Sequence, residues 1–272
     1  GVAKLLHEKA RLQLPTSLRQ LELVLPASML TALEPSLCAL TRLTDLTLVS
    51  ATEWELADDR SAIAAKFTLP ALERFSLDGA PISVARALLL SSPNVSSLRI
   101  ARTQGNPAAP LPELRRDANL SRIDLPRLQE VHLTSVDEQL TSQILKRTAM
   151  LESVSLICCI VSADAARWLL LNKPQLRQLT VEYLLGDSPS SPDGARAQCT
   201  ALESLTLGAG SEHTLAGLEF PALHHLALKS PCVGGTPTVC EGVSHAPALQ
   251  SIKLSTVDVS QVPCPLHAFR QF

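Results

Sequence analysis

Apolar and polar positions recur in one short pattern along the whole chain. The string apolar-x-x-apolar-x-apolar, with polar or small residues at x, occurs ten times in register, and two further matches, at Leu120 and Leu215, lie eight residues before a string and are interpreted as approach segments. Consecutive strings start 21 to 33 residues apart. Their first residues are Leu18, Leu43, Leu72, Val95, Leu128, Leu151, Leu176, Leu202, Leu223 and Leu249. This self-similarity indicates a repeat protein in which each string belongs to one structural unit.

The end of each string predicts a short β-strand. The second and third apolar residues are two positions apart, so their side chains point to one side of the strand and the x residues point to the other. A single unit cannot bury its apolar side alone, but parallel stacking lets each apolar row pack against the next. We therefore expect a ladder of about 30 buried aliphatic side chains, each contributing about 1.5–3 kcal/mol on burial.

The segments between the strings are of two kinds. Apolar residues at helical spacing predict helices over residues 82–92, 138–148, 164–172 and 239–245. Pro93, Pro174 and Pro247 follow three of these helices and turn the chain into the next strand, because proline cannot continue a helix. Three other strings follow a strand-like approach, over residues 67–70, 123–126 and 218–221.

Composition agrees with the ladder and excludes several classes of protein. Leucine accounts for 51 of 272 residues, roughly twice its usual share, and the ladder explains this excess. The apolar runs are far shorter than the roughly 18 residues of a membrane helix, so no membrane insertion is expected. The net charge is −2 and the basic residues are not clustered, so no nucleic-acid partner is expected.

The strings resemble those of leucine-rich repeat proteins from about Leu18 to Val259. Pro174-Gln-Leu-Arg-Gln-Leu-Thr-Val181 follows a predicted helix, and this form is most similar to intracellular leucine-rich domains of the ribonuclease-inhibitor and F-box kind, especially fungal F-box-type proteins. The resemblance implies an α/β leucine-rich repeat solenoid, or horseshoe, with about ten parallel strands on the inner face and helices or irregular segments outside. It also implies one domain over residues 1–272, with a cap at 1–17, repeats at 18–259 and a tail at 260–272.

The chain departs from the family pattern at two places. The family usually has a buried Asn or Cys three residues after the last string residue, where the side chain satisfies backbone groups of the turn. Only Cys159 fits this pattern here, so irregular turns are expected. An F-box module binds the ligase scaffold in the family, and residues 1–17 are too few to form one, so any such module is expected outside this chain.

The resemblance implies a non-catalytic protein-protein interaction scaffold, acting as the substrate-recognition part of a ubiquitin-ligase adaptor. The alternative is a structural subunit of a larger assembly that binds through its convex face and ends. Nucleophile-elbow, phosphate-loop and zinc-hydrolase motifs are missing from the sequence, so neither enzyme activity nor a cofactor is expected. His224, His225 and His245 lack metal-ligand spacing, so no metal is expected either.

The candidate partner-binding residues lie among the outward x positions. Arg74, Arg99, Glu130 and His132 belong to neighbouring units and predict a polar contact patch. Trp54 follows a strand in a charged loop and is predicted to be an exposed aromatic anchor. Seven cysteines without a CxxC pair indicate reduced thiols, and we expect an intracellular protein of the cytoplasm or nucleus.

Overall fold

The computed structural model divides the chain into two compact units, Gly1–Ala149 and Met150–Phe272. The described residues carry an α/β fold in both units. They are residues 14–25, 36–50, 69–79, 82–101, 124–136, 138–159, 161–185, 197–209, 217–229 and 246–255.

The first unit is built on five parallel strands that are hydrogen-bonded in chain order. Two of its helices follow the third and fifth strands. In order, the elements are β1 (Gln20–Leu25), β2 (Asp45–Ser50), β3 (Arg74–Asp78), α1 (Ile82–Ser91), β4 (Ser97–Ala101), β5 (Glu130–Thr134) and α2 (Glu138–Arg147).

The second unit has the same construction. Its elements are β6 (Ser153–Ile157), β7 (Val161–Ser162), α3 (Ala163–Asn172), β8 (Gln178–Leu185), β9 (Ala197–Gln198), β10 (Ser204–Ala209), β11 (Leu218–Glu219), β12 (His225–Lys229) and β13 (Ser251–Ser255). Strands β6, β8, β10, β12 and β13 pair in parallel in that order. Strand β7 pairs with the end of β8, and β9 and β11 form a separate two-stranded sheet.

Each of the ten strings forms a strand, and the register aligns equivalent string residues. In the first unit, the middle string residues lie opposite one another from strand to strand: Leu21, Leu46, Phe75, Leu98 and Val131. The last four of these are at most 2% exposed. The predicted α/β fold with about ten parallel strands is therefore confirmed, while the horseshoe remains a prediction.

Three helix predictions are confirmed to within one residue at each end. Helices α1 and α3 end before Pro93 and Pro174, as the sequence predicts. Helix α2 buries Leu140, Ile144 and Leu145, which lie on one face at helical spacing. The helix predicted over residues 239–245 lies outside the described residues.

A second buried row precedes the strings, and the sequence analysis did not predict it. In eight of the ten repeats, the residue three positions before the string closes a turn, because its carbonyl accepts a hydrogen bond from the first string N–H. The N···O distance is 3.2 Å from Leu128 to Leu125 and from Leu223 to Phe220. The buried members are Leu40, Leu69, Ser92, Leu125, Thr148, Lys173, Cys199, Phe220 and Ala246. The strand-like approach is confirmed at β11. In the other two approaches the described residues, 69–70 and 124–126, are not in a strand, and residues 67, 68 and 123 lie outside the described residues.

Three of the turns that leave the strands contain a left-handed residue at the same place. Gly79, Ser135 and Cys158 each follow the last string residue by two positions, with φ of 72°, 53° and 52°. The next residue is buried at Val136 and at Cys159. The Cys159 thiol donates to the Ile157 carbonyl at 3.5 Å, so this cysteine has the turn-supporting contact that the resemblance implies.

Candidate functional site

The outward side chains of the first unit form a charged face, which we define by two rows. The first row contains Gln20, Asp45, Arg74, Ser97 and Glu130. The second row contains Glu22, Thr47, Ser76, Arg99 and His132. Strand alternation puts these residues opposite the buried leucines, and the buried leucine rows fix the backbone that carries them.

All four predicted patch residues of this face are exposed, on three consecutive strands. The register places Arg99 directly beside His132. Arg74 and Glu130 belong to the other row, with Ser97 between them. The structure therefore brings Arg99, His132 and Glu130 together, whereas Arg74 points to a different neighbour.

Arg74 forms an ion pair with Asp45 on β2 through its Nε. The Thr44 hydroxyl donates to the other oxygen of Asp45 at 2.7 Å. Burial raises the pKa of Asp45, but the hydrogen bonds from Arg74 and Thr44 outweigh it and hold the pKa below its usual value. The same hydrogen bond raises the pKa of Arg74. Sequence reasoning missed this pair, although aligning the strings places Asp45 beside Arg74.

Arg99, Glu130 and His132 have a different environment. Within the described part of the chain, none of the three forms an ion pair or a side-chain hydrogen bond. Their register neighbours Ser76 and Ser97 are short. Their charged and polar atoms are therefore accessible to a binding partner.

The outward side chains of the second unit form a hydroxyl face that is poor in charge. Its short residues are Ser153, Ser155, Thr180, Ser204, Thr206 and Ala227, which are all partly buried. His225 Nδ1 lies 2.9 Å from the Ser251 hydroxyl. Polar contacts on this face are therefore made largely by small groups close to the backbone.

One ion pair crosses this hydroxyl face. Glu182 on β8 pairs with Lys229 on β12, and β10 lies between those two strands. Gly208 is the residue of β10 at the crossing, where an added Cβ would lie only 1.5 Å from the Glu182 carbonyl oxygen. Glycine therefore allows β8 and β10 to approach closely beneath this ion pair.

The other sequence predictions concern Trp54, the histidines, the cysteines and membrane spans. Trp54 and His245 lie outside the described residues. The ring centroids of His224 and His225 are 6.4 Å apart, and no group of three His, Cys, Asp or Glu side chains that could hold a metal occurs in the described ranges. In the same ranges, no disulfide joins Cys38, Cys158, Cys159 or Cys199. None of the described helices has the length and apolar character that a membrane span requires.

Comparison of the chain with protein-family models and with curated protein sequences finds no match. The class of protein is therefore defined by the fold: parallel strands in chain order, built from a repeated leucine string.

Proposed function

We propose that the chain is a non-catalytic scaffold that binds a protein partner on the exposed face of its strands. One observation carries this proposal: Arg99, Glu130 and His132 lie on adjacent strands, exposed and without ion-pair partners among the described residues. Charges in such positions are suited to complementary contacts, which contribute to the specificity and rate of association.

The geometry favours a broad and polar contact. Parallel strands present their side chains in rows about 4.8 Å apart, and the buried core below limits their movement. Neither the charged face nor the hydroxyl face contains Trp, Tyr or Phe. Since aromatic anchors dominate many tight interfaces, we expect modest affinity unless another surface contributes.

More specifically, we propose that the chain is the substrate-recognition part of an intracellular ubiquitin-ligase adaptor. The similarity of the strings to F-box-type leucine-rich domains supports it. In this proposal the charged face captures the substrate, while a module outside this chain contacts the ligase scaffold.

A structural subunit that binds through helices or ends is the competing proposal. The exposed large hydrophobic residues of the described ranges are Val24, Leu90, Met150 and Leu171. They lie on different elements, and singly exposed hydrophobic residues are common on protein surfaces. The charged face is therefore the better supported surface.

Affinity purification with matched variants tests this proposal. Arg99→Ala/His132→Ala alters the charged face, while Lys146→Ala/Arg147→Ala removes two exposed basic residues from α2. We expect the first variant to lose a specific protein that the second retains, with both variants folded by circular dichroism. Loss only with the α2 variant would favour the competing proposal. Mass spectrometry that finds no ligase scaffold component with the full-length protein would contradict the adaptor proposal.

A further inference from the structure

Arg99 differs from the long cationic side chains of these faces that form an ion pair with a carboxylate. Arg74 pairs with Asp45, and Lys229 pairs with Glu182. The register neighbours of Arg99 are Ser76 and His132, and neither carries a carboxylate. The Arg99 guanidinium therefore presents its forked donors to solvent, in a geometry that suits an incoming carboxylate.

Glu130 is the exposed acid nearest to Arg99 on the charged face, and it forms no ion pair with the described residues. Its register neighbour on β4 is Ser97, and Arg99 lies diagonally from it, one strand across and two residues along. Strand spacing and rise place the Arg99 and Glu130 Cα atoms about 8 Å apart. Strands β4 and β5 thus present one positive and one negative group at a separation that the register fixes.

In an extended peptide, successive side chains on one side are about 6.6–6.8 Å apart, which is close to the separation of Arg99 and Glu130. We propose that the partner contributes an extended segment with an acidic and a basic residue two positions apart. The acidic side chain binds Arg99 and the basic side chain binds Glu130. This inference rests on the proposed function, because it specifies the partner of the same face.

The neighbours of Arg99 can also contribute to binding the acidic residue of the partner segment. The Ser76 hydroxyl and the His132 ring lie on either side of Arg99 in the same row. Both can donate hydrogen bonds to carboxylate oxygens that the guanidinium leaves available. Around Glu130 the corresponding neighbour is the short Ser97, which leaves room for a long basic side chain.

An array of synthetic peptides tests the match with the intact chain. The peptides share one neutral, extended sequence with Asp-x-Lys, Lys-x-Asp, Asp-x-Asp, Lys-x-Lys, Ser-x-Ser or Asp-x-x-Lys at the centre. We expect both opposite-charge i,i+2 peptides to be retained about fivefold better than the others at low ionic strength. Added salt should weaken this preference, because exposed pairs are screened.

Single charge reversals give the sharper test. With Arg99→Glu both groups become acidic, and the preferred peptide should change to Lys-x-Lys. With Glu130→Lys both groups become basic, and Asp-x-Asp should be preferred. Lys253→Glu reverses an exposed cation on β13 in the other unit, and it should leave the original preference unchanged.

The results of the peptide experiments can overturn the charge match without overturning the proposed function. Retention that depends on Arg99 or Glu130 but shows no preference for opposite charges would overturn the charge match and leave a binding face. Retention of no peptide above Ser-x-Ser would overturn the charge match, while the partner experiment described above would still decide the proposed function. Switched preferences in both reversed variants, with unaltered melting temperatures, would establish the match.

Discussion

At the residue scale, the buried row before the strings contains both apolar and polar side chains. Lys173 and Cys199 occupy equivalent places in consecutive repeats of the second unit, and both are buried. Burial lowers the pKa of Lys173, whose Nζ lies 5.1 Å from the centre of the Trp168 ring. Burial raises the pKa of the Cys199 thiol to about 11, with a smaller opposing effect from Arg167. The interior therefore disfavours the charged form of each group.

The raised pKa of Cys199 predicts a loss of stability at alkaline pH. Below pH 9 the thiol is neutral in both folded and unfolded chains, whereas between the unfolded value of 9.0 and the folded value of about 11 only the unfolded chain ionises. This difference lowers the free energy of unfolding by roughly 2–3 kcal/mol across that range. Urea unfolding from pH 8 to 11 should show a smaller fall for Cys199→Ala. Parallel pH profiles for the two proteins would contradict this account.

At the scale of elements, the strands and helices follow from local patterns. The ten strings predict the positions of the strands, and apolar residues at helical spacing followed by a proline predict α1 and α3. The buried row before the strings was not predictable in this way, because it includes Ser, Thr, Lys and Cys besides apolar residues. Most of these residues share a backbone turn, which becomes visible only when the carbonyl and N–H partners are known.

The close approach of β8 and β10 gives a test at this scale. Gly208→Ala places a Cβ against the Glu182 carbonyl, a backbone group that cannot rotate away, so a strand must shift. We expect the free energy of unfolding to fall by about 2 kcal/mol or more. Thr206→Ala changes an outward residue of the same strand and should cost less than about 1 kcal/mol. Equal urea midpoints for the two variants would show that the strands do not approach closely at this residue.

The candidate site was partly predictable at the same scale. Alternation within the strings correctly predicted that Arg74, Arg99, Glu130 and His132 are exposed. It did not predict that Arg74 forms an ion pair while Arg99 forms none with the described residues, because that difference depends on which side chain the neighbouring strand places alongside. The prediction for Trp54 concerns a residue outside the described ranges.

At the scale of the whole molecule, the two units have similar rows of buried leucines but different outward faces. The first unit presents opposite charges on adjacent strands, whereas the second presents small hydroxyl side chains and the Glu182 and Lys229 ion pair. The leucine rows are alike in both units, so the difference comes from the outward residues. We therefore propose that the charged face of the first unit selects the partner.

Site-specific photo-crosslinking in cells tests this assignment most directly. A photoreactive amino acid at Glu22 or Thr47 would lie within the charged face, on β1 or β2, and would leave Arg99, Glu130, His132 and their short neighbours unchanged. The same group at Lys146 or Leu171 would lie on exposed positions of α2 and α3. We expect one shared protein adduct from the two face positions and none of that adduct from the helix positions. The same adduct obtained only from the helix positions would contradict binding through the strand face.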